Sequence, residues 1–156
     1  MKILYAVQGT GNGHIARACD IIPALESQGE LDILVSGTQS DIDLPFDVKY
    51  RLRGLSFIFG KNGGVDLPGT FRNANLTGLW KEIHALPVEN YDLVINDFEP
   101  VSAWSALLKG VSVIGLSHQA AIISKGVPRP ATFELTGELV LRIYAPCKIK
   151  YGFHFQ

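Results

Sequence analysis

The sequence predicts an α/β domain built on a Rossmann-like parallel sheet with helices on both faces. Two observations lead there. Short apolar runs alternate with longer stretches of helical spacing, in the order Lys2 to Val7, Ile15 to Gln28, Leu31 to Ser36, then Asp92 to Asn96, Val101 to Lys109 and Val111 to Leu116. Such alternation is the pattern of βαβ units. The first apolar run also breaks at Gln8-Gly9-Thr10-Gly11-Asn12-Gly13-His14, a glycine turn between strand and helix. Glycines let the backbone take positive φ and approach a ligand closely, and the next helix turns its unpaired N–H groups toward the same place.

Each element has its own signal. Ile3-Leu4-Tyr5-Ala6-Val7 is a short apolar run of strand length, and Ile15 to Gln28 carries helical spacing, with Pro23 placed where it should kink the helix. Val48 to Leu52 and Leu55 to Phe59, parted by Arg53-Gly54, are two further strand candidates that extend or flank the sheet. Lys61 to Asn75, with Gly63, Gly64, Pro68 and Gly69, has no periodicity and reads as a loop. A helix follows from Leu76 to Leu86 and is closed by Pro87. Pro100 at a first helical position and Gly110 just past the end punctuate the next one. Thr132 caps a helix through Tyr144, and Cys147 to Phe155 alternates as a last strand.

A chain of 156 residues, 47% apolar and 19% charged, is enough for one folded unit covering residues 1–156. The net charge of −1, with no block of basic residues, gives no electrostatic footprint for nucleic acid. The N-terminal apolar run is too short for a signal peptide, and no later stretch approaches the roughly 20 apolar residues of a spanning helix. A cytoplasmic protein is expected. Cys19 and Cys147 form neither a CxxC motif nor part of a histidine cluster, so they read as core thiols, with no metal site and no disulfide.

The glycine turn fits two common nucleotide motifs poorly. A dinucleotide fingerprint needs G-x-G-x-x-G and an acid at the tip of the second strand. Here the third glycine falls one place early, the second strand ends Val35-Ser36-Gly37-Thr38, and Asp41 comes too late. A P-loop fails as well, because Gly54 to Gly60-Lys61 has the wrong spacing and Asn62 stands where a magnesium-binding hydroxyl is needed. A tight βα connection without any ligand stays open.

A second constellation lies on the same rim. Tyr91 to Pro100 is a buried strand whose carboxyl end delivers Asp97 and Glu99 just before a helix, and the next strand ends in Ser117-His118-Gln119. Ligands of open α/β sheets bind outside the carboxyl ends of the strands, so His14, Asp97, Glu99, His118 and Gln119 converge on one crevice. An acid just before Pro100 also suits a helix cap. Glu99 is the better cap by position, which leaves Asp97 to face the crevice. His84 and His154 have no such context. The arrangement suits general-base activation of a hydroxyl: His14 accepts the proton, and Asp97 fixes its tautomer and stabilises the imidazolium as it forms.

With these residues identified, the chain resembles the N-terminal half of a nucleotide-sugar glycosyltransferase of the two-Rossmann-domain (GT-B) type. Gly9-Thr10-Gly11-Asn12-Gly13-His14 is similar to the Gly-Gly-Thr-Gly-Gly-His loop of the MurG-type peptidoglycan N-acetylglucosaminyltransferases. Asp92 to Gln119 has the matching order of strand, acid, helix and strand. The resemblance covers nearly the whole chain. It implies a metal-independent, inverting transfer from a nucleotide-sugar, a UDP-sugar by that likeness, to an acceptor hydroxyl, with no separate cofactor. It implies that His14 is the base and Asp97 its helper. Gly9, Thr10, Gly11, Asn12 and Gly13 would face the donor diphosphate and acceptor, with His118 and Gln119 on the acceptor side.

The loop proline usual in that family is absent, since Ile15-Ala16-Arg17-Ala18 follows His14, and Arg17 reaches a phosphate or lies on a solvated face. Lys61 and Arg72 are candidates to meet the leaving diphosphate. Because the resembled family binds the nucleotide mainly through its C-terminal domain, the chain alone is expected to need that missing domain or a partner chain for activity. Lipid-linked acceptors are common there, and Leu76, Leu79, Trp80 and Ile83 recur at helical spacing, which suits either peripheral contact with the inner face of the membrane or core packing. A non-catalytic subunit of a split glycosyltransferase, a sugar-nucleotide epimerase and a dinucleotide-binding oxidoreductase are the competing functions.

Overall fold

The computed structural model describes residues 1–37, 44–55, 69–70, 74–122 and 135–153. Strands β1 (Lys2–Gln8), β2 (Glu30–Ser36), β3 (Tyr50–Leu52), β4 (Leu93–Asp97), β5 (Val113–Leu116) and β6 (Ile149–Tyr151) form one sheet in the order β3-β2-β1-β4-β5-β6. Every pairing is parallel. The helices are α1 (Asn12–Glu26), α2 (Leu76–Ala85), α3 (Pro100–Lys109), α4 (His118–Ile122) and α5 (Leu135–Ile143). The predicted Rossmann-like class is therefore observed, with the strand order reversing between β1 and β4.

Strand alternation divides the core into two layers. Ile3, Tyr5, Val7, Ile33 and Ile95 point to one face, where Ile15, Ala18 and Ile22 of α1 cover them. Leu4, Ala6, Leu34 and Val94 point to the other, against Ile83 of α2 and Val101 and Ala106 of α3. Side chains of adjacent strand residues leave opposite faces, so helices on both sides are what buries both apolar sets.

Several boundaries differ from the sequence expectation. Helix α1 starts at Asn12, three residues before Ile15, so Gly13 and His14 belong to its first turn, and it continues through Pro23 to Glu26. The strand expected at Val48 to Leu52 is only Tyr50–Leu52, and the last strand is only Ile149–Tyr151. Helix α3 begins on Pro100 and ends at Gly110, whose φ of 69° is the left-handed stop that glycine permits. Cys19 and Cys147 are free thiols packed, partly buried, against the core as the sequence suggested, and burial pushes Cys147 up to about 11. Ser56 to Phe59, Lys61, Arg72, Thr132 and Phe155, all named in the sequence expectation, lie outside the described residues.

Candidate active site

Strand parity places the central acid. Val7 pairs with Asp97 and Tyr5 with Ile95, so Asp97 leaves the sheet on the face covered by α1, at the last position of β4. Its neighbour Asn96 leaves on the opposite face. There Asn96 Nδ2 donates to the Glu99 carbonyl at 2.6 Å and to Ser102 Oγ at 2.8 Å, while its Oδ1 accepts from Glu99 N at 3.1 Å. These bonds lock the turn between β4 and α3. Phe98, inside that turn, has a φ of 56°. A phenylalanine in the left-handed region costs on the order of 1–3 kcal/mol, and such residues persist where surrounding contacts hold them.

Asp97 is fully buried and meets two side chains from the first turns of α1. Its Oδ1 lies 2.9 Å from His14 Nδ1. Arg17 donates to it through Nε at 3.1 Å to Oδ2 and through Nη2 at 2.7 and 2.8 Å to both oxygens. His14 and Arg17 are three residues apart on a helix and so share a face. The Arg17 guanidinium also lies 4.9 Å over the Phe153 ring, and the His14 ring stacks in parallel on Phe98 at 6.4 Å.

Two contacts bear on the imidazole's tautomer, since Nδ1 lies 2.9 Å from both Asp97 Oδ1 and Arg17 Nη2. An ionised carboxylate only accepts, so Nδ1 is the nitrogen that donates to Asp97. Nε2 then presents its lone pair on the far side of the ring. Gln119 Nε2 approaches that lone pair at 3.3 Å, whereas Gln119 Oε1 is buried with no partner among the described residues. One nitrogen is oriented by an acid and the other is ready to accept, which is the geometry general-base chemistry requires.

The glycine turn divides by position. Gly9 N donates to Ser36 O at 2.6 Å, and a Cβ on Gly9 would stand 3.0 Å from both Ser36 O and Val35 Cγ1, so Gly9 is required by the packing of β1 against β2. Gly11 has a φ of 94° and caps α1 without any side-chain bond. Gly13 has neither reason: its φ is ordinary, and a Cβ there would meet nothing within 4 Å. Thr10 is tied back by Gln8 Nε2 at 2.7 Å; the same amide donates to Tyr144 Oη at 2.8 Å, and Tyr144 Oη donates to the Leu55 carbonyl. Asn12 is exposed at the start of α1.

The structure thus brings together His14, Asp97 and Gln119 from three different strand ends. His118 stands one step away: its Nδ1 faces the Phe153 carbonyl at 3.2 Å and its ring packs edge-on against Phe153. Glu99 is the cap of α3 that its position before Pro100 suggests, and it does not line the crevice on whose rim the sequence also placed it. It is fully buried, with Oε1 accepting from Ser36 Oγ at 2.6 Å and Val101 N at 2.7 Å, and Oε2 accepting from Ser102 N at 2.6 Å. Burial pushes its carboxyl above the usual range, against the pull of those donors. Both oxygens accept from the cap, and the carboxylate is fully buried, away from a ligand at the rim. Arg17 and Phe98 are the residues that sequence reasoning missed in this role. The spacing of Arg17 from His14 was the available signal; Phe98 gave none.

An open parallel sheet that gathers a buried acid, a histidine and a helix N-terminus at its switch point is the class of α/β domain that handles a ligand outside its strand ends. Residues 1–150 match the family model described as glycosyl transferase family 1, and the chain belongs to that family. Among solved structures it is similar to the crystal structure of Acinetobacter baumannii MurG, at 14% identity and a TM-score of 0.43, over 96% of this chain and 40% of that one. The chain therefore spans less than half the length of that protein. A search of curated proteins gives no match.

Proposed function

We propose that this chain is the acceptor-side, N-terminal domain of a GT-B, metal-independent inverting glycosyltransferase that moves a sugar from a UDP-sugar to an acceptor hydroxyl. His14 Nε2 takes the proton of the acceptor hydroxyl as its oxygen attacks the anomeric carbon, and the bond to the diphosphate breaks on the opposite face. Asp97 orients the ring and stabilises the imidazolium. The diphosphate leaves toward the first turn of α1, where a helix dipole favours negative charge. A second domain or partner chain supplies the nucleotide site.

The observation that carries this reading is the 2.9 Å contact between His14 Nδ1 and a fully buried Asp97, within a chain that belongs to a glycosyltransferase family. Gly13 supports it, because a glycine inside the first turn with open space above its backbone leaves room for a ligand. Peripheral contact with a membrane, to reach a lipid-linked acceptor, rests on Leu76 and Trp80 of α2, which are 50% and 60% exposed. No helix among the described residues is long and apolar enough to cross a membrane.

The test is release of UDP from UDP-sugars by the protein assembled with its nucleotide-binding domain, together with the anomeric configuration of the product. Acceptor-dependent UDP release that His14→Gln abolishes supports the reading. Inversion at C2 of the sugar without transfer, or full activity in His14→Gln, sinks it.

A further inference from the structure

We infer that Phe153 and His118 form a clasp that holds Arg17 on Asp97, which makes both of them positioning residues for the pair of His14 and Asp97. The inference rests on the reading of that pair as the catalytic one. By sequence, Arg17 reaches a phosphate or lies on a solvated face, and His118 stands on the acceptor side. Their contacts give the two a shared partner, Phe153.

The chain leaving β6 runs along the rim of the sheet. Ser117 N donates to the Tyr151 carbonyl at 3.1 Å, which carries the pairing of β5 with β6 one residue past the end of β5. Gly152 then passes against α4. A Cβ on it would stand 2.5 Å from both N and Cα of Ala121, so any larger residue there must move the backbone. This close approach sets Phe153 beside His118. The Phe153 carbonyl lies 3.2 Å from His118 Nδ1, and because a carbonyl only accepts, Nδ1 is the donor. The two rings meet edge-on with centroids 5.6 Å apart. His118 thus fixes both the backbone and the ring of Phe153.

The same ring lies 4.9 Å from Arg17 Cζ. An arginine near the start of a helix has several rotamers, and its head is well solvated in water. Here the side chain is only 13% exposed. It donates through Nε and Nη2 to both oxygens of Asp97, and Nη2 is also directed at His14 Nδ1, 2.9 Å away. An aromatic face attracts the guanidinium and keeps water off it. With water kept off, the ion pair to the buried carboxylate is stronger and its geometry is better defined. His118 therefore acts through Phe153, and Phe153 through Arg17, on the acid that orients the imidazole.

The test is hydrogen exchange at Arg17 Nε–H, read by NMR on the protein assembled with its nucleotide-binding domain. The signal is identified by its absence in Arg17→Met. Phe153→Leu keeps an apolar side chain without the aromatic face, and is expected to speed this exchange about tenfold. It is also expected to lower kcat by about tenfold with little change in KM, as a misplaced catalytic group does. Phe153→Trp, which restores an aromatic face, should return both toward wild type. His118→Leu is the sharper variant, because it must speed exchange at Arg17 by way of Phe153. His118→Asn, which can again donate to the Phe153 carbonyl, should reverse that change. Wild-type exchange in both Phe153→Leu and His118→Leu overturns the clasp. A raised KM with unchanged kcat in Phe153→Leu also overturns it, since that marks a wall of the substrate site and not a positioning residue. If Phe153→Leu does not fold, His118→Leu carries the same measurement. Full activity in His14→Gln, which sinks the base reading, leaves the exchange rates unmoved, so the two readings fail separately.

Discussion

Val7 and Asp97 are register partners across β1 and β4, which fixes Asp97 one residue short of the end of β1 and turns it toward α1. The glycine turn then needs only a few residues to bring His14 over it. His14→Gln is expected to lower kcat by roughly 10³–10⁴-fold with a smaller change in KM, the pattern of an interaction made in the transition state. Asp97→Asn should fall by a similar factor, and the double variant little further, because the two act as one unit. Steady-state kinetics on the assembled enzyme checks this.

Breaking the buried cluster also has a structural cost. Asp97→Ala leaves Arg17, only 13% exposed in its side chain, as an unpaired cation, which costs about 3–5 kcal/mol. Urea unfolding should show this loss for Asp97→Ala and a much smaller one for His14→Gln, which separates catalytic from structural effects.

The three glycines of the turn should respond differently to alanine. Gly9→Ala forces a Cβ to within 3.0 Å of the Ser36 carbonyl and destabilises. Gly11→Ala places an alanine at a φ of 94°, where side chains are strained. Gly13→Ala meets no atom within 4 Å and should stabilise α1 by up to about 1 kcal/mol. Thermal unfolding measures the sign in each case. A stabilised Gly13→Ala protein with reduced turnover is the outcome expected if the space over Gly13 belongs to a ligand.

Glu99 gives a pH-dependent signature. Its folded-state pKa is raised, by burial first, so the native state holds this proton more tightly than the unfolded chain does. Its contribution to stability is therefore fullest at low pH and falls as pH rises from the ordinary glutamate value, about 4.3, through the raised one. Glu99→Gln removes that dependence and also sets an amide donor against a backbone N–H of the cap, costing about 1–3 kcal/mol. The difference in stability between wild type and Glu99→Gln should be largest at the acid end of that window and shrink with rising pH. A constant difference in urea midpoints would refute the assignment.

Trp80 tests the membrane contact. At 60% exposure it packs on His84, with ring centroids 4.0 Å apart, rather than into the core. Trp80→Asp should leave stability within about 0.5 kcal/mol of wild type. If α2 touches lipid, the substitution reduces co-sedimentation with anionic liposomes. Equal sedimentation of the two proteins would remove Trp80 from any membrane role.

By itself, the sequence determined the βαβ order, the punctuation of α3 by Pro100 and Gly110, and the rim on which His14, Asp97 and Gln119 lie. Those features are local: hydrophobic period, fixed proline φ and glycine at a left-handed stop act within a few residues of chain. It assigned Glu99 to the cap and Asp97 to the crevice by position, but could not determine which side chains Asp97 meets there, nor that Arg17 turns inward. Only the tertiary structure decided these, because register between β1 and β4 sets which face each strand residue leaves. A grip across 80 residues of chain, from Arg17 to Asp97, depends on two elements packing together and has no signature in either alone.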